Sequence, residues 1–296
     1  MGKLESNPVD ITGAQGTRSE LSPTPDFGRP PVSEVVLSVQ FEPIENMRGP
    51  QVGLLWAKFR HQFPRVEEHE PLAPVFEKFG SQEPAQFNVR LEFSNALPAR
   101  RAWLLNERGD QLLQIQPDRL IHNWRKLNDE DTYPSFRHLF HSFALELREF
   151  QEFVSQEKLG ELFFNQCEVT YVNHIVAGAG WETHAELDKV FTFWSGRHSD
   201  SFLPAPEDVR YVVRYIIPGT KNEPIGRLHV MASPIFRAAD KKAAIMLNLT
   251  ARCRPEDGSI EGAYNSLETG HQWVTRGFVS ITTEAMHRLW ERKHGI

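Results

Sequence analysis

Three places in the chain carry the side chains with most to offer chemically. Glu34 stands just ahead of an alternating apolar run, Gln114 to Arg125 is a dense polar and aromatic stretch, and His271 falls inside an apolar stripe. Side chains alternate along an extended segment. Asn123 and Arg125 therefore share one face, and His122 and Trp124 share the other. If these groups converged in space, Glu34 or His271 could serve as general base and Arg125 as an anion clamp. Such a set would suit a hydrolase or a transferase. Each group also has an ordinary role. Glu34 fits a strand-edge charge or an ion pair with an arginine, and Arg125 fits a turn-stabilising pair with Asp118. His271 fits a core histidine with a satisfied ring. A polar ring in an apolar stripe must find a partner, so the functional alternative is a His271 that faces a cavity beneath a sheet. With Arg119 and Trp124 added, the candidate ligand-binding set is Glu34, Arg119, Asn123, Trp124, Arg125 and His271.

The usual catalytic signatures are missing. There is no P-loop, dinucleotide fingerprint, HExxH or GxSxG in the chain. Gly53, Gly80, Gly109 and Gly160 stand singly, so no glycine loop is available to cradle a phosphate. Among the 12 histidines, His138 and His141 lie three apart at a spacing that can present two ligands on one helix face. Phe140 and Phe143 already mark the buried face there, and neither a metal site nor a cofactor is expected. The two cysteines, Cys167 and Cys253, form no CxxC and no zinc-ligand spacing. They read as reduced, buried thiols. The net charge of −6 argues against a general nucleic-acid binder, which needs a basic field to displace counterions. The pairs Arg100-Arg101 and Lys241-Lys242 are short enough to be solvated loop charges. No signal peptide and no apolar run near 18 residues is evident, so a soluble, cytoplasmic protein away from the membrane is expected.

The elements that would hold these groups follow an order that runs twice. Residues 1–29 are rich in Gly, Pro, Ser and Thr without apolar period and read as a disordered N-terminal arm. Val35, Leu37, Val39 and Phe41 alternate as a half-buried strand. Leu55, Phe59 and Phe63 fit one helix face within 52–63. Residues 64–85 read as an exposed connection. Phe87 to Phe93, Ala102 to Leu105, Leu113 to Ile115 and Leu120 to Trp124 read as four antiparallel strands, with Gly109 in a hairpin turn. A long helix follows, with Phe136, Leu139, Phe140, Phe143, Leu147 and Phe150 on its stripe. From Phe164 the order recurs as a strand, a short helix (184–194) and strands around 209–217, 225–232 and 243–252. A last helix begins at Tyr264 and is expected to kink or restart near Thr282. The predicted fold class is α+β: a disordered arm (1–29) and two tandem halves (30–157 and 158–296). Each half is a strand, a helix, three or four antiparallel strands and a long helix. This is the plan of TBP-like and helix-grip folds, in which a curved antiparallel sheet packs on a long helix.

Three motifs also carry a resemblance. The opening Pro30-Pro31-Val32-Ser33-Glu34-Val35-Val36-Leu37-Ser38-Val39-Gln40-Phe41 resembles the start of a sporadically distributed, uncharacterised family of bacterial proteins. Leu112 to Arg125 resembles its central motif. Leu267 and His271, then Phe278, Thr282, Thr283, His287 and Trp290, are similar to its C-terminal signature. The resemblance runs from about residue 30 to the end and brings no established activity. The scattered occurrence of that family implies an association with mobile or defence gene neighbourhoods. The function expected on all these grounds is binding rather than catalysis. The partner would be another protein or a small ligand, with a homodimer as one form of assembly, and nucleic acid is not expected. The rival expectation is the hydrolase or transferase, with its polar site at the junction of the halves.

Overall fold

The computed structural model describes residues 24–80, 100–195, 202–204, 206–237 and 240–293. Its elements in chain order are β1 (Asp26–Phe27), β2 (Val32–Phe41), α1 (Gly49–Phe59), β3 (Arg65–His69), β4 (Arg101–Leu105), β5 (Gln111–Gln116), β6 (Arg119–Arg125) and α2 (Phe136–Gln156). Then come β7 (Phe164–Val176), a 3-10 turn (His184–Glu186), α3 (Leu187–Val190), β8 (Tyr211–Pro218), β9 (Pro224–Phe236) and β10 (Ala243–Cys253). α4 (Ile260–Ile281), α5 (Glu284–Leu289) and β11 (Arg292–Lys293) follow.

Among the described residues, nine strands make one sheet in the order β3-β4-β5-β6-β2-β7-β10-β9-β8, while β1 pairs only with β11. Every neighbouring pair is antiparallel. β2 and β7 lie at the centre and pair along most of their length: Val35 opposes Tyr171, Leu37 opposes Val169 and Val39 opposes Cys167. Strands that follow β2 in the chain fan out on one side of this pair, and those that follow β7 fan out on the other.

Alternation gives the sheet two unlike faces. One carries Val35, Leu37 and Val39 with Leu113, Ile115, Val169, Leu247 and Leu249, all fully buried. The stripe of α2 (Leu139, Phe143, Leu147, Phe150) and that of α4 (Leu267, Val274, Phe278) are buried with them. α4 lies close to β7 and β10, where a Cβ at Gly270 would stand 3.1 Å from Val169. α2 and α4 run antiparallel to each other, since Phe136 stacks on His271 while the Tyr264 hydroxyl donates to the Ala144 carbonyl. The other face of the sheet presents Glu34, Ser38 and Gln40 of β2 beside Arg119, Ile121, Asn123 and Arg125 of β6. The break expected near Thr282 is present: α4 stops at Ile281 and the Thr283 hydroxyl caps α5 through the Met286 N–H. The turn before β5 holds Gly109 at φ +81°, where its missing Cβ avoids strain.

Some expectations need correction. The expected strand at 87–93 falls outside the described residues, as do residues 1–23 of the expected arm. Residues 24–29 are not free arm. Asp26 and Phe27 pair with Lys293 and Arg292, and the Phe27 ring packs edge-on against Phe278 and Trp290. A single aromatic docked on the C-terminal end anchors this segment, and one anchor leaves no apolar period to read. The expected exposed connection begins with a strand, β3, on the edge of the sheet. Its sequence, RVEEH, is exposed along most of its length, so it lacks the alternation that marks half-buried strands. The short helix expected at 184–194 is only the 3-10 turn and α3, because Phe191 leaves the helix to bridge Thr282.

One polar pair lies inside the apolar layer. His122 of β6 and Glu146 of α2 are buried with Nδ1 and Oε2 2.8 Å apart. Among the described residues, His122 Nε2 and Glu146 Oε1 have no partner. A half-satisfied buried pair contributes little net stability, yet leaving one member alone is costly. Glu146→Ala is expected to lower the unfolding free energy by about 3–5 kcal/mol. The double substitution His122→Leu with Glu146→Leu should cost less than that single change. Urea denaturation of the three proteins distinguishes this from two independent losses, which would add.

Candidate functional site

The sheet divides the candidate set between its two faces. On the outer face, away from the helices, Asn123 Nδ2 donates to Glu34 Oε1 at 2.7 Å. Gln114 Nε2 donates to Asn123 Oδ1 at 2.7 Å, and Arg101 Nη1 donates to Gln114 Oε1 at 2.9 Å. These bonds form a polar ladder across β2, β6, β5 and β4. Arg125 sits opposite Glu34 in the pairing, but its Nε donates to the Gly109 carbonyl at 2.8 Å and its side chain is exposed. It steadies the β4–β5 turn rather than pairing with Asp118, which instead takes a hydrogen bond from Gln116. Arg119 donates to Gln40 and to the Ala73 carbonyl on the same outer face.

His271 and Trp124 belong to the helix face. The convergence of Glu34, Asn123, Arg125 and His271 on one reacting centre does not occur, because the sheet backbone stands between the first three and the last. Sequence alternation puts Asn123 and Arg125 on one side correctly. It cannot say on which side a distant helix will lie.

On the helix face there is a cavity of about 450 Å³, roofed by residues 24–30 and walled by the start of α2, by α4 and by the central strands. His271 lines it, with Phe136, Phe140 and Phe278 as apolar walls and Asn173 and Leu249 on the strand side. The Phe136 ring lies parallel to the imidazole with centroids 3.7 Å apart. Three polar groups form a chain: the Tyr133 and Tyr171 hydroxyls are 2.7 Å apart, and the Tyr171 hydroxyl is 3.1 Å from His271 Nδ1. Trp124 packs on Tyr133 at 5.6 Å between centroids, so it backs this chain from β6. Asp26, Arg137 and Glu268 reach the rim and are exposed.

Burial sets the charge state of the chain. It lowers the His271 pKa to about 4, so the ring is neutral at pH 7. Burial likewise pushes both tyrosines up, Tyr171 with added repulsion from Tyr133, so both keep their protons. Two proton arrangements satisfy the chain. Tyr133 can donate to Tyr171 and Tyr171 to His271 Nδ1, which leaves Nε2–H as a donor. In reverse, His271 Nδ1–H donates to Tyr171 and Tyr171 to Tyr133, which leaves Nε2 as an acceptor. No partner meets Nε2 among the described residues. His271 Nε2 thus faces the cavity as a neutral atom able to give or take a hydrogen bond.

Tyr133 and Tyr171 complete the site, and neither is in the candidate set. Their signal is compositional: the chain uses 20 Phe and 5 Tyr, so a tyrosine on a core face implies a needed hydroxyl. Of the two histidines with metal-ligand spacing, His138 and His141 are both exposed. Among the described residues no group of three or more His, Cys, Asp or Glu is placed to hold a metal ion. Likewise, no described helix is long and apolar enough to cross a membrane. No family model, no curated protein and no solved structure matches this chain.

The low pKa of His271 has a stability consequence. Between about 6.5, its ordinary value, and about 4, the unfolded chain binds a proton that the folded chain does not. Stability therefore falls as pH drops through that window, by on the order of 3 kcal/mol from this group. His174 and His287 are also lowered, by burial first, and act in the same direction. His271→Gln removes only its own share. Thermal unfolding from pH 7 to pH 4 is expected to fall less steeply in that variant; equal slopes would show that the ring carries no such penalty.

Proposed function

We propose that the chain is a non-enzymatic binding protein that holds a small neutral ligand in the cavity between α2, α4 and the centre of the sheet. The observation that carries this reading is the Tyr133–Tyr171–His271 chain at the wall of an aromatic-lined cavity. Cavities of this size that set placed polar groups among aromatic walls suit small organic ligands. The ligand chemistry that fits is a planar, largely apolar body with one uncharged polar group, such as a heterocyclic amide or a phenol. The body would lie among Phe136, Phe140 and Phe278, and the polar group would meet His271 Nε2. A neutral imidazole and two protonated phenols give an ionised ligand no compensating charge inside, where desolvation is costly.

The same reading treats the chain as two tandem halves on the TBP-like or helix-grip plan. The fan of strands on each side of β2 and β7, with α2 after one set and α4 after the other, supports it. The cavity would then lie at the junction, and neither half alone would close it. The three sequence motifs support membership of the bacterial family they resemble. The free, buried Cys167 and Cys253 fit a reducing, cytoplasmic setting. The rival enzyme reading needs a nucleophile or a charged base hydrogen-bonded to the His271 ring, and the group that meets it is the protonated Tyr171 hydroxyl.

The test is a thermal-shift panel of neutral planar amides and phenols, read against the wild type and a cavity-filled variant, Gln272→Trp. A ligand at a hundredfold excess over Kd stabilises by about 2.7 kcal/mol, a shift of several degrees. At least one saturable shift is expected in the wild type, strongly reduced in the variant. If no panel member shifts the wild type and native mass spectrometry of the purified protein finds no bound small molecule, the reading fails.

A further inference from the structure

The outer face of the sheet is crossed by residues 72–79, which belong to no strand or helix. The way they are held is unusual for a connection. Gln116 clamps the backbone of Leu72 from both sides: its Oε1 accepts from the Leu72 N–H and its Nε2 donates to the Leu72 carbonyl, each at 3.0 Å. Arg119 donates to the Ala73 carbonyl at 3.1 Å. Gln40 Oε1 accepts from the Val75 N–H at 3.0 Å, and Gln166 Oε1 accepts from the Glu77 N–H at 3.3 Å.

These bonds run from side chains of the sheet to the main chain of the segment. The apolar side chains of the segment are only partly covered: Leu72, Val75 and Phe76 are 36%, 37% and 50% exposed. The Glu77 carboxylate is held more closely: its side chain is 8% exposed, meets His229 Nε2 at 2.6 Å and Arg227 Nη1, and lies 3.7 Å from Arg252, which also binds Glu168. Burial pushes its carboxyl up, but hydrogen bonds and charge from His229 and Arg227 outweigh this and hold it below the usual carboxylate range. Beyond it, the Arg227 guanidinium lies over the Phe79 ring at 4.6 Å. The contacts come from β5, β6, β2, β7, β10 and β9, six consecutive strands of the sheet.

A row of glutamines that reads main-chain groups, ending in a cationic notch for one carboxylate, is the chemistry of a peptide receptor. Main-chain bonds give affinity to any extended segment, and one charged anchor selects among them. We infer that this face is a docking site for an extended acidic peptide of a partner protein, and that residues 72–79 occupy it in cis until displaced. The segment suits this role because Leu72, Val75 and Phe76 stand outside the buried core, so releasing it opens few core contacts. The partner sequence needs a carboxylate about five residues after the clamped position and no large side chain facing the sheet between them. This site lies on the opposite side of the sheet from the cavity, so the two readings stand or fall separately.

The test replaces residues 71–79 of the full chain with a Gly/Ser stretch of equal length. The probe is a labelled synthetic peptide of residues 70–80, followed by fluorescence polarisation. Saturable binding is expected, about tenfold weaker for the peptide carrying Glu77→Ala, and weaker again in the unaltered protein, where the cis segment competes. No saturable binding to a folded replaced protein, or binding indifferent to Glu77→Ala, overturns the inference. Hydrogen exchange of the unaltered chain covers the case in which the replacement does not fold. Amides of Leu72, Val75 and Glu77 exchanging well before those of β2 support a displaceable segment. Exchange as slow as β2 means the segment is part of the core, and the inference falls.

Discussion

The pairing of β2 with β7 is the contact on which everything else depends. It joins the two fans of strands into one sheet, and it opposes Val35, Leu37 and Val39 to Tyr171, Val169 and Cys167. Residues on these two strands are buried on the helix face and partly covered on the other. A one-residue slip would turn that whole apolar row outward and bring Glu34, Ser38 and Gln40 into the core. The register is thus fixed by burial. Because it is fixed, Tyr171 arrives beneath His271 and Gln40 arrives beside Gln166.

The two faces then take separate work. The helix face is apolar and filled, except where the start of α2, the middle of α4 and the docked residues 24–30 leave room. At the cavity, burial removes the charge from His271 and keeps the protons on Tyr133 and Tyr171. The outer face runs on charge and amide chemistry. Glu77 stays ionised there because cations surround it. One sheet in this way keeps a neutral, aromatic site and an ionic, main-chain-reading site apart by its own thickness.

The buried His122–Glu146 pair shows how finely apolar and polar demands are mixed. Glu146 occupies a position in the α2 stripe that periodicity assigns to a hydrophobe. It is tolerated because His122, on the inward row of β6, meets it. Polar pairs inside cores add little stability but demand a particular arrangement, and this one ties α2 to β6 in a single register.

Local patterns marked much of this protein. Alternation identified β2, β5, β6 and β7. Steps of three and four identified α2 and α4. The restart expected near Thr282 is the break before α5, and Gly109 marked its turn. His271 stood out as a polar ring in an apolar stripe. These features are legible because short-range periodicity reports which side of an element is buried. What lies opposite that side is decided by packing between residues far apart in the chain. Only the fold put Tyr133 and Tyr171 next to His271, separated Glu34, Asn123 and Arg125 from it by a sheet, and laid the unpatterned segment 72–79 across six strands. Edge strand β3 and that segment have no apolar period because neither contributes to the buried core. Their partners are side chains and edges supplied by the tertiary structure, and no local pattern encodes those.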